Sequence, residues 1–201
     1  MNSRKWVRLF LTTLAIGGIA TAITGFVVEW NKYEKLFIHL QIGEILAVLA
    51  WYIGFGFIFS VISQMGFFAY LTVHRFGLGF FRSVSLWNSV QIVLIAFVLF
   101  DLVYFRYQVF GKSGESIFSY ILVALFVLLF GLVTAYIKRR QTNKEAFIPA
   151  LFFMTVVTII EWFPALRIND EKWLYLMLIP LLICNAYQLL LLHKLTKVSS
   201  S

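Results

Sequence analysis

The fold class this sequence predicts is an all-α integral membrane protein: a bundle of six transmembrane helices with both termini in the cytoplasm. Three observations predict it. Of 201 residues, 61% are hydrophobic and only 13% charged, whereas a soluble domain runs nearer one-quarter charged. Six apolar stretches each have about the length a helix needs to cross a bilayer, roughly 20 residues. The basic residues alternate from one connecting segment to the next. Strict polar/apolar alternation is absent, which argues against a β-barrel. Helices follow, because hydrocarbon offers no partners to backbone N–H and C=O groups.

The stretches lie at 7–28, 45–64 with a continuation toward 73, 84–104, 117–137, 147–163 and 173–192. Arg4, Lys5 and Arg8 precede the first, and Ala20-Thr21-Ala22 within it resembles a signal-peptidase site. The apolar run continues to Val28, beyond the about 7–15 residues of a secretory core, so an uncleaved first helix is expected. Trp6, Trp30, Trp87, Trp162 and Trp173 fall near span ends, where the headgroup layer suits the indole ring; Trp51 alone lies within a span. Residues 1–198 read as one polytopic domain and 199–201 as a short polar tail. Pro149, Pro164 and Pro180 all lie in the second half, so no internal repeat is evident.

Charge sets the orientation. One set of segments carries Arg4, Lys5, Arg8, Arg75, Arg82, Lys138, Arg139, Arg140, Lys144, Lys194 and Lys197, eleven basic residues against one acid, Glu145. The alternate set carries Lys32, Lys35, Arg106, Lys112, Arg167 and Lys172 against eight acids. Lysine and arginine are retained on the cytoplasmic side. The net charge of +8 is thereby a record of insertion and no nucleic-acid footprint.

Catalytic signatures are lacking. His39, His74 and His193 are scattered, with no H-E-x-x-H, no G-x-S-x-G and no phosphate-cradling glycine loop. The single cysteine, Cys184, reads as a small residue in a packed helix. No enzyme, metal or cofactor is expected.

Four features remain. The first is the stretch 66–87, GFFAYLTVHRFGLGFFRSVSLW, too apolar for a loop and too basic for a span. It reads as a cytoplasmic interfacial hairpin turning at Gly77 and Gly79, preceded by a helix that is tilted, kinked near Gly66 or projecting. Its His74, Arg75 and Arg82, with Lys138, Arg139, Arg140 and Lys144, form the candidate surface for a partner or for lipid headgroups. The second is Glu44, Asp101 and Glu161, which read as boundary charges in contact with water or as an acidic mouth on the outer face. The third is the intramembrane polar set Ser60, Ser63, Gln64, Asn88/Gln91 and Asn185/Gln188; the pairs three apart share a helix face and suit hydrogen bonds between helices. The fourth is Gly17, Gly18, Gly54 and Gly56, which permit close helix approach.

The strings GFFAYLTVHRFGLGFFRSVSLWN and QIVLIAFVLFDLVYFRY, with KRRQTNKEAFIPALFFMTVVTIIEWFPALR, resemble the KbaA family of endospore-forming bacilli. The resemblance implies an accessory protein of the cell membrane that activates a KinB-type membrane sensor histidine kinase feeding the sporulation phosphorelay. It carries over no binding or catalytic residues. The lipid bilayer and a membrane histidine kinase are the implied partners. The alternative is a small six-helix carrier or channel for an ion or metabolite, which would need Gln64, Asn88, Gln91 and Asn185 to line one path toward Glu44 and Glu161.

Overall fold

The computed structural model describes residues 3–111 and 116–196. Lys112, Glu115, Lys197 and the tail 199–201 lie outside the described residues. The described residues form helices and no strand: α1 Ser3–Val28, α2 Trp30–Ile38, α3 Ile42–Phe81, α4 Val84–Phe110, α5 Phe118–Gln141, α6 Phe147–Phe152, α7 Thr158–Ile168 and α8 Glu171–Thr196. A 3₁₀ turn, Lys144–Ala146, leads into α6, and a π-helical segment, Phe153–Val157, joins α6 to α7. Five helices, α1, α3, α4, α5 and α8, are long and apolar enough to cross a membrane.

The expected segment at 147–163 is not one regular helix. Pro149 sits in the first turn of α6, where its missing N–H costs nothing. Further on, the Thr155 hydroxyl donates to the Leu151 carbonyl at 2.7 Å, the acceptor an α-helix would offer to its own N–H. That competition accompanies the widened π turn. α2 was not anticipated; its buried Tyr33 packs edge-on to Phe26 and Tyr52.

α3 takes the projecting course among those expected, but the turn is not at Gly77 and Gly79. It runs unbroken for 40 residues, about 60 Å at 1.5 Å per residue and twice the ~30 Å hydrocarbon core. Gly77 and Gly79 are helical. The chain turns instead at Arg82, in the left-handed region at φ 52°, and Ser83 caps α4 by accepting from the Leu86 N–H at 3.3 Å. Gly77 is needed for proximity: a Cβ there would lie 2.5 Å from the Trp87 ring.

α1, α3, α4, α5, the continuous run from α6 through α7, and α8 alternate in direction. At one end Glu29, closing α1, accepts from the Tyr52 hydroxyl of α3 at 2.6 Å and from Lys172 of α8 at 3.4 Å, and Arg106 of α4 donates to Asn169 beyond α7 at 2.9 Å. At the opposite end Trp6 of α1 packs on Phe68 of α3, Tyr70 donates to the Pro149 carbonyl at 2.9 Å, and Lys138 of α5 reaches α8. This second end collects Arg75, Arg82, Arg139, Arg140 and Lys144 and is called the basic end below. α1, α3 and α8 pack closest. A Cβ on Gly56 would lie 2.5 Å from the Gly17 carbonyl oxygen, whereas Gly54 faces open space. Large apolar side chains such as Ile23, Trp51, Val93, Phe97 and Val133 point outward and stay exposed, as a lipid-facing surface requires.

Candidate functional site: a buried polar seam

The interior of the bundle is polar along one line. Small residues let α1 and α3 approach, and the Ser60 hydroxyl donates to the Thr13 carbonyl at 2.6 Å. One turn further on, the Ser63 hydroxyl donates to Asn185 Oδ1 at 2.6 Å and accepts from Gln188 Nε2 at 2.7 Å. Asn185 Nδ2 in turn donates to Thr158 Oγ1 at 2.9 Å and to Glu161 Oε2 at 2.6 Å. Ser60, Ser63, Thr158, Asn185 and Gln188 are fully buried, and Glu161 is 7% exposed. The seam therefore ties α1, α3, α7 and α8 together through hydrogen bonds that span 24 to 125 residues of chain. Such bonds between helices are modest individually, averaging about 0.6 kcal/mol in a bilayer protein. Their value lies in fixing which faces meet, because an unmatched register would strand several buried polar groups at once.

Glu161 is the correction. As a boundary carboxylate it would touch water; instead it points inward, seven residues before the end of α7, about 10 Å along the helix axis. Met154, Thr158, Glu161 and Ala165 recur at helical spacing and are all buried, so the side chain follows its helix face into the core. Gly66 of α3 makes the space. A Cβ at that position would collide with the Glu161 carboxylate. Oε1 has no hydrogen-bond partner, nor has Oε1 of Gln188 or Nε2 of Gln64.

The acidic mouth does not assemble. Glu44 is exposed in the first turn of α3. Asp101 is half-buried on a groove between α4 and α7 that Glu161 does not line. The three acids stand on different helices and face different surroundings.

Two members of the expected basic surface are also turned inward. Lys138 is 6% exposed and its Nζ donates to the Leu189 carbonyl of α8 at 2.6 Å; its aliphatic stem suits this position because only the terminal nitrogen needs a partner. His74 is half-buried, and its Nδ1 accepts from the Trp87 indole N–H at 3.0 Å. Indole can only donate, so His74 carries its proton on Nε2 in this arrangement. Gln91 Nε2 lies 3.4 Å from the same nitrogen, which binds α3 to α4 just before their turn. Arg75, Arg82, Arg139, Arg140 and Lys144 are exposed, as expected; Arg140 lies over the Tyr136 ring at 4.8 Å.

The bonds of Asn185 and of Gln188 to Ser63 follow the reading of these residues as interhelical hydrogen-bonding groups. Gln91 does the same through His74, while Asn88 Oδ1 is buried without a partner. The described residues contain no group of three or more His, Cys, Asp or Glu that could hold a metal ion. Among the described residues, five cavities of 280–500 Å³ open along the flanks of the bundle; Gln64 lines one of them, and Asn88, Gln91, Glu161 and Asn185 line none of these five.

Long apolar helices held by a hydrogen-bonded interior define a helical membrane-type bundle whose buried polar groups bond one helix to another. Within that class the family is specific. The chain belongs to the KbaA family, described as acting in KinB-signalling pathway activation in sporulation, whose model matches residues 17–195. A Bacillus subtilis (strain 168) protein named KinB-signaling pathway activation protein is 56% identical over 194 residues, covering 96% of this chain and 98% of its own length. No solved structure matches the chain.

Proposed function

We propose that the chain is an accessory protein of the cell membrane, crossing it six times with both termini in the cytoplasm, that activates a KinB-type sensor histidine kinase by direct contact. The observation that carries this reading is family membership over nearly the whole chain, with a close relative whose name is pathway activation. The sixth crossing is the run 147–168, with α6, the π turn and α7 acting as one discontinuous span. The basic end faces the cytoplasm, in keeping with the retention of lysine and arginine on that side. Exposed Arg75, Arg82, Arg139, Arg140 and Lys144 are the contact surface there. Activation requires that these groups bind the active form of the kinase better than the inactive one.

The carrier or channel reading draws support from one observation, the depth of Glu161, since a buried carboxyl group in a membrane bundle marks function by default. Of the four residues such a path needs, Gln64 lines one of the five flanking cavities, and Asn88, Gln91 and Asn185 line none of them. The adaptor reading needs no path.

The test replaces Arg75, Arg82, Arg139, Arg140 and Lys144 with glutamine and follows a sporulation reporter, protein amount and loop accessibility together. Reporter output is expected to fall while amount and topology hold. Full output from a correctly inserted variant would remove these residues from the contact. An altered topology would be read from the accessibility arm and answered with pairwise replacements.

A further inference from the structure

At the end opposite the basic one, α4 and α7 diverge and leave a groove of about 500 Å³. Leu102 and Ile159 are its buried floor, and Phe105, Val109, Ile160 and Phe163 are its exposed walls. The lining is apolar apart from Asp101 and, at the mouth, Arg106 and Arg167.

Asp101 is out of place in such a groove. It stands nine residues before the end of α4, about 14 Å along the axis. With a ~30 Å hydrocarbon core centred on this helix, that is about 9 Å below the hydrocarbon boundary. Its Oδ1 is buried with no hydrogen-bond partner, and neither ion pair among the described residues involves it. Arg106, the nearest cation in sequence, is engaged by Asn169 and lies over the Tyr120 ring at 5.0 Å. A carboxylate at membrane depth is costly unless a donor meets it. Lipid chains would fill the groove but bring no donor to that depth. A helix can, since its side chains project into a neighbouring groove while its own backbone is satisfied.

We propose that this groove seats a membrane-spanning helix of the partner kinase, which presents a hydrogen-bond-donating side chain (lysine, arginine, asparagine or glutamine) to Asp101. The inference rests on the accessory reading above and assigns a second contact, within the bilayer and distinct from the basic loops.

The experiment places a photo-crosslinking amino acid at Phe105 or Ile160 of the full chain, with Leu125 of α5, also exposed, as control, in sporulating cells that make epitope-tagged KinB. Adducts with KinB are expected from positions 105 and 160, not from 125, and are lost on Asp101→Leu. That variant removes an unpartnered carboxyl oxygen from an apolar groove, so it keeps its amount and thermal midpoint while reporter output drops about threefold to tenfold. Asp101→Asn retains an acceptor and retains most of the output. The proposal is overturned if the adducts join two copies of this chain, if they contain only lipid, if Leu125 captures KinB equally, or if Asp101→Leu signals fully. Deleting the gene separates the two readings. If deletion lowers output and Asp101→Leu does not, the groove is wrong and the accessory role stands. If deletion leaves output unchanged, the accessory role itself fails.

Discussion

Replacing Gly66 with alanine tests the seam most directly, because helix propensity and packing predict opposite signs. In an isolated helix the change gains about 1 kcal/mol. Here the new methyl would occupy the position of the Glu161 carboxylate, so α3 and α7 must separate or Glu161 must swing away. Overpacking of this kind costs about 1–3 kcal/mol. Moving Glu161 also breaks its 2.6 Å bond from Asn185, worth about 0.6–1.7 kcal/mol in a membrane protein. The net expectation is a loss of about 1–4 kcal/mol. Reversible unfolding in mixed micelles measures it, and a double-mutant cycle isolates its cause. In a Glu161→Ala background the obstruction is gone, so Gly66→Ala should be neutral or stabilising by up to about 1 kcal/mol. Two results would refute the reasoning: a Gly66→Ala protein as stable as the parent, or penalties that simply add across the cycle.

Two further outcomes follow from the basic end. Lys138→Met keeps the buried stem but loses the donor to Leu189; a stability loss of about 1–2 kcal/mol is expected, whereas Arg139→Met, exposed, should stay within about 0.5 kcal/mol of the parent. Trp87→Phe keeps a ring against Gly77 and removes the donor to His74, at about 1 kcal/mol. Nitrogen NMR of His74 should show the proton on Nε2 in the parent, and a proton on Nδ1 instead would contradict the hydrogen bond.

Much of the architecture was legible because a bilayer imposes coarse rules. Length and apolarity locate five helices long and apolar enough to cross a membrane, and the glycines at positions 17, 18 and 56 mark close approach. The spacing of Asn185 and Gln188 showed a shared face and so anticipated their bonds to Ser63. Direction was not legible where both faces of a helix are apolar. Lipid and core attract the same side chains, so periodicity has little contrast, and Phe67 (buried) and Phe68 (exposed) look alike in sequence. Glu161 shows the same ambiguity: proximity to Trp162 and Pro164 suggests a boundary, while the buried stripe with Met154, Thr158 and Ala165 turns it inward. Lys138 was grouped with its basic neighbours by composition, although the following two residues lie on other faces of α5. Glycine in sequence suggests a turn at 77–79; at Gly77 the small size instead serves contact with Trp87, and Arg82 takes the left-handed conformation that ends α3.

The unbroken course of α3 has a mechanical consequence. Tyr52 at the far end, Ser63 and Gly66 at the seam and His74 at the basic end all ride on one rigid rod. From Ser63 to Phe81 is 18 residues, a lever arm of about 27 Å. Tilting the rod by about 5° at the seam would carry its tip about 2 Å sideways, a displacement comparable to the helix shifts that switch subunit interfaces. A helix seated or released elsewhere in the bundle can thus reposition Arg75, within the rod, and Arg82, at its cap, without any rearrangement of the turn that follows.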